Sequence, residues 1–380
     1  VLNYLNAKAQ DYTIILSWAE QELRNLRQSR PEHIWLIDRL QEKIIESRFL
    51  HQQLRIIARI GIQRLYPRAL PIIHDIELSL IHLTYYYLPA LQRERKEDLY
   101  LRKILLQTAN RCGLYWIKDI AVRLDNQEAI ISVITECPVI FAPPQRSVSL
   151  LDIAGLYHEL GHNVFQMFPD IVESLANVIS DHFTNLRQGV GLMDPSKRAE
   201  RERDIDEAQI YWNADRLNEF FSDIYATYIC GPAFYYSSVD MAIKLISDPF
   251  IINPIDVHPP LAARVYACRK AINTGHQDEP LVIASQTIWN NYIRTFPRNA
   301  RFSFICADSL LDRLVEASIQ CIAELLNSVM PFGEPLPSAN DLLQIPSGVT
   351  LESILNRAGK ILLLMPDRYA DWEKEALKSL

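Results

Sequence analysis

The chain has 380 residues, 49% of them hydrophobic and 22% charged, a balance that suits a folded protein with a large core and argues against disorder. Its formal net charge is −7 with both signs spread along the sequence, so no long basic track offers itself to a nucleic-acid backbone, and no nucleic-acid partner is expected. No apolar run approaches the roughly 20 residues of a transmembrane segment; ILLLMP and SLIHLTYYYLP are too short or too polar.

The first 110 or so residues read as helix throughout. In PEHIWLIDRLQEKIIESRFLHQQLRIIARIGIQRLY, residues Ile34, Ile37, Ile44, Leu50, Leu54 and Ile57 fall at helical spacing, and Pro31 suits a first helical turn. DYTIILSWAEQELRNLRQS before it, and IIHDIELSLIHLTYYYL and RKEDLYLRKILLQTAN after it, continue the pattern until Cys112-Gly113 stops it. Residues 1–112 are therefore expected to form a helical N-terminal region, without a repeat or a glycine-rich phosphate loop that would indicate a ligand. The opening VLNYLNAKAQ has neither the basic nor the apolar region of a signal peptide. As it does not begin with methionine, residues ahead of it are expected to be missing or removed.

After residue 113 the character changes. IAVRL and EAIISVITECPVIFAPP combine β-branched residues with bracketing turn residues and are the best strand candidates. PPQRSVS reads as a loop, because adjacent prolines lack amide donors and restrict the residue before them. Helices are expected again over about 170–188, 197–218, 217–230, 237–247, 259–272 and 303–328, with a final pair near 349–357 and 368–378. The expected fold is mainly α with a small β-sheet, an α+β arrangement. GVGLMDPSK and PFGEPLPSANDLLQIPSG are the clearest breaks. The second either links a C-terminal helical element, 333–380, to a body spanning 113–332, or is an ordered surface loop packed on it.

Between the strands and these helices stands LLDIAGLYHELGHNVFQMFP, with His158, Glu159 and His162 in the order H-E-x-x-H. Residues four apart share a helix face, so two imidazoles can meet one ion while Glu159 projects beside them toward a bound water. Gly161 leaves one side of the helix thin, open to a backbone or a substrate. The bland alternative is a core helix with two ordinary histidines, since so short a pattern also occurs by chance. A catalytic zinc takes three protein ligands and keeps a fourth position open. RLNEFFSDIYATYICGPAF offers the third: Glu219 and Asp223 are also four apart, on a segment whose Phe220, Ile224, Tyr228 and Ile229 form an apolar side. Acids turned inward there need a positive partner. Glu219 can ligate directly, and Asp223 can accept the ring N–H of His158 and fix its tautomer. Against this stand two solvated acids on an amphipathic helix, or His182 and Glu173 as competing third ligands.

His158-Glu159-Leu160-Gly161-His162 followed by Glu219-Phe220-Phe221-Ser222-Asp223 resembles the gluzincins, the glutamate-liganded zincins that include the thermolysin-like peptidases. Their hallmark is H-E-x-x-H with a downstream E-x-x-x-D, and the resemblance covers about residues 130 to 230. It implies a zincin-like metallopeptidase core over 113–332, one Zn²⁺ held by His158, His162 and Glu219, Glu159 as general base, and Asp223 as the carboxylate behind a ligand. The 57 residues from His162 to Glu219 exceed the compact thermolysin arrangement and imply an inserted helical element. A histidine-liganded metzincin would have glycine at 165 and histidine at 168, and both positions are phenylalanine.

NPIDVHPPLAARVYACRK adds His258, ahead of two prolines and a helical run bearing Arg264. A rigid loop there can present His258 to an oxyanion, as a downstream histidine does in thermolysin-like enzymes; the competing role is a cap on the next helix. Tyr235, with Tyr228 and Tyr236, lies just beyond Glu219 and is a further candidate for the oxyanion or the cleft wall. The leading expectation is zinc-dependent hydrolysis of peptide bonds in a peptide or protein substrate, with Glu159 as base and His258 and Tyr235 assisting. Two other readings stay open: a zincin-fold hydrolase of a non-peptide amide or a weakly active zinc-containing binding protein, and a helical interaction module without catalysis. Cys112, Cys137, Cys230, Cys268, Cys306 and Cys321 are scattered without a C-x-x-C pair, which suits free thiols and a cytoplasmic location.

Overall fold

The computed structural model describes residues 2–61, 63–92, 96–124, 129–131, 137–142, 149–191, 194–272, 276–326, 341–345 and 349–379. Packing divides the chain into two compact units: residues 1–107 with 115–143, and residues 108–114 with 144–380.

In the first unit α1 (Leu2–Ser29) and α2 (Ile34–Ile60) form a hairpin through a 3₁₀ turn at Pro31–His33. Leu5, Ala9, Tyr12, Leu16, Ala19, Leu23 and Leu26 are buried on α1, at alternating steps of four and three. On α2, Ile37, Leu40, Ile44, Ser47, His51, Leu54 and Ala58 repeat those steps. Such a 3.5-residue seam is the coiled-coil pattern. The helices run antiparallel: Arg27 pairs with Asp38 near the turn, while His51 Nε2 lies 2.7 Å from the Ala9 carbonyl oxygen at the far end. Ile34, expected on the buried face, is instead 45% exposed, because the seam passes through Leu36 and Ile37.

α3 (Tyr66–Ile81) leads through a wider π-helical turn at His82–Tyr87 into α4 (Leu88–Gln92), and α5 (Lys96–Arg111) follows. Three strands, β1 (Ala121–Leu124), β2 (Ala129–Ile131) and β3 (Val139–Ala142), then form a mixed sheet in the order β1-β3-β2. Ala121 pairs with Val139 in the parallel ladder, and Ile131 with Val139 in the antiparallel one. Val139 and Phe141, on one face of β3, bury in the cluster that holds α1, α2, Leu83 and Tyr87, and the Tyr87 hydroxyl donates to the Cys137 carbonyl at 3.0 Å. Asp119, just ahead of β1, accepts from Arg102 Nε at 2.8 Å and lies 3.0 Å from His33 Nδ1, tying α5 and the 3₁₀ turn to the strand entry. The boundary expected at 112/113 is therefore displaced: the strands pack with the N-terminal helices.

The second unit is helical among its described residues: α6 (Leu150–Ile153), α7 (Gly155–Met167), α8 (Pro169–Val190), α9 (Pro195–Tyr211), α10 (Ala214–Cys230), α11 (Pro232–Lys244), α12 (Leu261–Ile272), α13 (Pro280–Ile293), α14 (Ala300–Ile305), α15 (Asp308–Leu325), α16 (Leu351–Leu364) and α17 (Pro366–Ser379). One helix expected to reach residue 218 stops at Tyr211. Asn213 adopts extended backbone there, and its side chain accepts the Arg216 N–H at 3.1 Å, capping α10. α10 is central, packed against α7, α8, α11, α12, α15 and α16, and nearly all its residues are buried. α16 is buried over most of its length. Its Asn356 donates to the Cys230 carbonyl at 2.8 Å and accepts from the Ala233 N–H at 2.8 Å, satisfying both helix ends at the α10–α11 junction. α16 thus belongs to the core of this unit.

The fold class is mainly α with a small β-sheet, as expected from the sequence. No described helix is long and apolar enough to cross a membrane, and the cysteines are free thiols, all buried except the half-buried Cys321. The loop expected at PPQRSVS, over 143–148, and most of PFGEPLPSANDLLQIPSG lie outside the described residues.

Candidate metal centre

α7 carries the H-E-x-x-H residues and is buried from Gly155 to Phe165, so His158, Glu159 and His162 sit inside the second unit. The glycine between them decides what packs there. A Cβ at Gly161 would stand 2.8 Å from the Ser222 Cα and 3.0 Å from its Cβ, so only glycine lets the α7 and α10 backbones come this close. That approach brings the face of α10 bearing Glu219 and Asp223 onto the two histidines.

His158, Glu159 and His162 each offer a ligand atom, all within 4.8 Å of one another, the one such group of three among the described residues. Glu219 joins them from α10, with Oε2 3.3 Å from His158 Nε2 and Oε1 3.4 Å from His162 Nε2. Two atoms bound to one tetrahedral zinc at its usual bond lengths lie about 3.3–3.4 Å apart. The outer ring nitrogens are engaged elsewhere. His162 Nδ1 lies 3.0 Å from both Asn218 Oδ1 and Ser222 Oγ, and His158 Nδ1 is 2.9 Å from Asp223 Oδ1, close in distance though not aligned as a hydrogen bond. Partners at Nδ1 turn both Nε2 atoms toward Glu219. The buried Glu219 Oε2 has no hydrogen-bond partner, although His158, His258 and Arg264 surround it at 3.3, 3.5 and 3.7 Å. Two imidazole nitrogens, each facing one oxygen of the same carboxylate at 3.3 and 3.4 Å, are of the donor types a zinc ion takes.

The charges follow from this packing. Burial disfavours the His158 cation, but Asp223 and Glu219 outweigh it and push the imidazole up to about 10. Burial, then the neighbouring His158 charge, pushes His162 down to about 4. Burial works to raise Glu219, yet His158 and Arg264 hold it at about 2. Asp223 lies well below the usual carboxylate range despite its burial, chiefly because of Arg264.

Arg264 is the residue whose role the sequence left unassigned. From α12 it grips Asp223 with two bonds, Nε to Oδ2 at 2.6 Å and NH2 to Oδ1 at 2.8 Å. The acid behind His158 is thus fixed by a buried guanidinium in a bidentate pair. Arg216 holds a second part. Its guanidinium donates to the carbonyls of Tyr211, Asn253, Pro254 and Asp256 at 2.8, 3.3, 2.8 and 2.5 Å, fastening the 253–256 segment to the start of α10. His258 follows directly. Its Nδ1 lies 2.8 Å from Asp256 Oδ1 and its Nε2 3.5 Å from Glu219 Oε2, so the ring points at the cluster and does not cap α12.

Other candidates fall elsewhere. Tyr235 is fully buried, its hydroxyl has no hydrogen-bond partner, and Arg269 and Cys268 on α12 are the charged and titratable groups that act on it. Tyr236, half-buried on the same helix, faces Asp240 and Lys244. On α8, Glu173 is exposed, and His182 is influenced by Arg313 and not by the cluster. Searches of protein-family models, curated proteins and solved structures give no match to this chain.

Proposed function

We propose that the chain is a zinc-dependent metallopeptidase of the gluzincin kind, with His158, His162 and Glu219 as metal ligands and Glu159 as general base. The observation that carries this reading is the meeting of both Nε2 atoms with the two oxygens of Glu219, a residue of a different helix, at 3.3 and 3.4 Å. Zinc bound there would supply a Lewis acid that polarises a scissile carbonyl and makes water acidic. Glu159, 4% exposed and next to the ligand atoms, takes the proton of the attacking water and passes it to the leaving amine. With Nδ1 2.8 Å from Asp256 Oδ1, the ring of His258 is held so that Nε2 faces the carbonyl oxygen as negative charge develops. Asp223, pinned by Arg264, keeps His158 in one orientation.

The test pairs metal analysis with peptide-library cleavage on the purified full chain. One zinc per chain is expected, lost in Glu219→Gln. Glu159→Gln should keep the zinc and lose about 10²–10⁴-fold in hydrolytic rate. A chain that takes up no zinc would end the metalloenzyme reading. Stoichiometric zinc with hydrolysis of small amides but of no peptide would move the assignment to a non-peptide amidohydrolase.

A further inference from the structure

Away from the histidine cluster, the second unit holds a cavity of about 380 Å³ between α12, α13, α14 and the start of α15. That volume lies within the range of small-molecule sites, about 300–1,000 Å³. Phe250, Tyr266, Trp289, Phe296 and Phe302 give it aromatic walls, completed by aliphatic side chains and arginines. Phe250 and Phe302 meet edge to face with centroids 5.0 Å apart, while Trp289 and Phe296 flank Tyr292 at 5.6 and 5.2 Å. These walls are fixed by hydrogen bonds behind them. The Tyr292 hydroxyl donates to the Ser247 carbonyl at 2.8 Å, and Asn299, which caps α14, donates to the Phe250 carbonyl at 3.2 Å. A ligand entering such a cavity has little wall to order, which favours binding.

The charges at the cavity do not balance. Arg298 gives its guanidinium to Asp308 at 2.8 Å and is neutralised by the one carboxylate of the lining. Arg269 and Arg294 also line the cavity, and neither side chain has an ion-pair partner among the described residues. Arg269 rests 5.6 Å from the Tyr266 ring, which steadies the guanidinium without taking up its charge. Asn290, one turn ahead of Arg294 on α13, adds an amide to the same lining. Two uncommitted guanidiniums beside aromatic walls select an apolar body that ends in an oxyanion, since a guanidinium fork matches carboxylate and phosphate oxygens.

We propose that this cavity binds a small organic oxyanion, a carboxylate or phosphate monoester on an aromatic or branched hydrocarbon body. Arg269 and Arg294 hold the anion, and Trp289, Phe296 and Phe302 enclose the body. The site is separate from the zinc reading, because neither arginine touches the histidine cluster.

Calorimetric titration of the full chain with naphthalene-2-carboxylate, 2-naphthyl phosphate and neutral 2-naphthamide tests this. One or both anions should bind one to one, at least about tenfold more tightly than the amide. Arg269→Gln and Arg294→Gln should each weaken the anion by about tenfold or more, with thermal unfolding unchanged. Ile293→Trp, which fills the cavity from a half-buried position, should abolish binding. The tighter anion identifies a carboxylate or a phosphate ester as the natural class. Failure of both anions to bind below about millimolar concentration, equal binding of the amide, or indifference to both arginine substitutions would overturn the proposal. A carboxylate captured by zinc would ignore Arg269 and Arg294, so failure here leaves the metallopeptidase reading as it stands.

Discussion

Gly161→Ala is the smallest change that reaches the centre of the site. The added methyl would lie 2.8 Å from the Ser222 Cα, where ordinary contact begins at 3.4 Å, so α7 and α10 must separate by about 0.6 Å or tilt. Both partners are helix backbone and cannot rotate aside. Overpacking of this kind costs about 1–3 kcal/mol, against about 1 kcal/mol gained in helix propensity, so a net loss of up to about 2 kcal/mol is expected. The larger effect falls on the metal, because His158 and His162 ride on α7 and Glu219 on α10. A displacement of about 0.6 Å exceeds the tolerance of about 0.2 Å on ligand distances, and zinc affinity should fall at least about tenfold. Ser222 Oγ, 3.0 Å from His162 Nδ1, moves with α10 and loosens that ring as well. Gly189→Ala is the control: nothing lies within 4 Å of its Cβ position in α8, so it should stabilise slightly and leave zinc untouched. Urea unfolding and a competitive zinc titration on both variants measure the two effects. If Gly161→Ala matches Gly189→Ala in both, glycine is not what sets the helix approach, and the geometric argument fails.

Arg264→Gln strips the buried Asp223 of both charged bonds and should cost about 3–5 kcal/mol in urea unfolding. Asp223→Asn should cost a similar amount, since it leaves Arg264 buried without its anion, and should also weaken zinc about 10–100-fold in a chelator competition. Arg216→Gln releases the 253–256 carbonyls; stability should fall by about 1–3 kcal/mol and kcat by about tenfold with zinc retained, and unchanged kcat would remove the loop from the mechanism. His258→Ala should lower kcat by about 10²-fold, more than it raises KM, at full zinc occupancy; a normal kcat would take His258 off the catalytic list.

Much of the helical architecture was legible because long amphipathic patterns report their own burial. The N-terminal hairpin was legible as helix but not as a seam, since Ile34 and Ile57 look as apolar as Leu36 and Leu40, and only the partner helix selects a 3.5-residue stripe. α13 escaped notice because PLVIASQTIWNNYI is rich in β-branched and aromatic residues, and its helix is held by burial of Leu281, Val282, Ser285 and Trp289. The strands were legible in type, but not the unit to which they belong: that depends on Val139 and Phe141 finding Tyr87 and Leu83, residues some fifty positions earlier.

For the site, spacing along single helices was informative and partners across helices were not. Pairs four apart put His158 beside His162 and Glu219 near Asp223, but no periodicity links Asp223 to Arg264, 41 residues away. The omission changes how the acids bear on a metal. Read from the sequence, both needed a positive partner, and an ion served for both. In the structure Asp223 is already neutralised by a bidentate guanidinium, so its burial alone no longer calls for zinc. Glu219 is different. No guanidinium is hydrogen-bonded to it, Arg264 standing 3.7 Å away, its Oε2 is buried without a hydrogen bond, and His158, His162 and His258 turn Nε2 toward it at 3.3, 3.4 and 3.5 Å. Three imidazoles facing one carboxylate satisfy it poorly here, since Oε2 is left without a hydrogen bond while each ring has its Nδ1 directed at another acceptor or hydroxyl. A divalent ion resolves that mismatch in one step. The weight of the metal reading therefore falls on Glu219: Glu219→Gln should abolish zinc binding yet cost the fold less than Arg264→Gln, because it breaks no bidentate pair of buried charges.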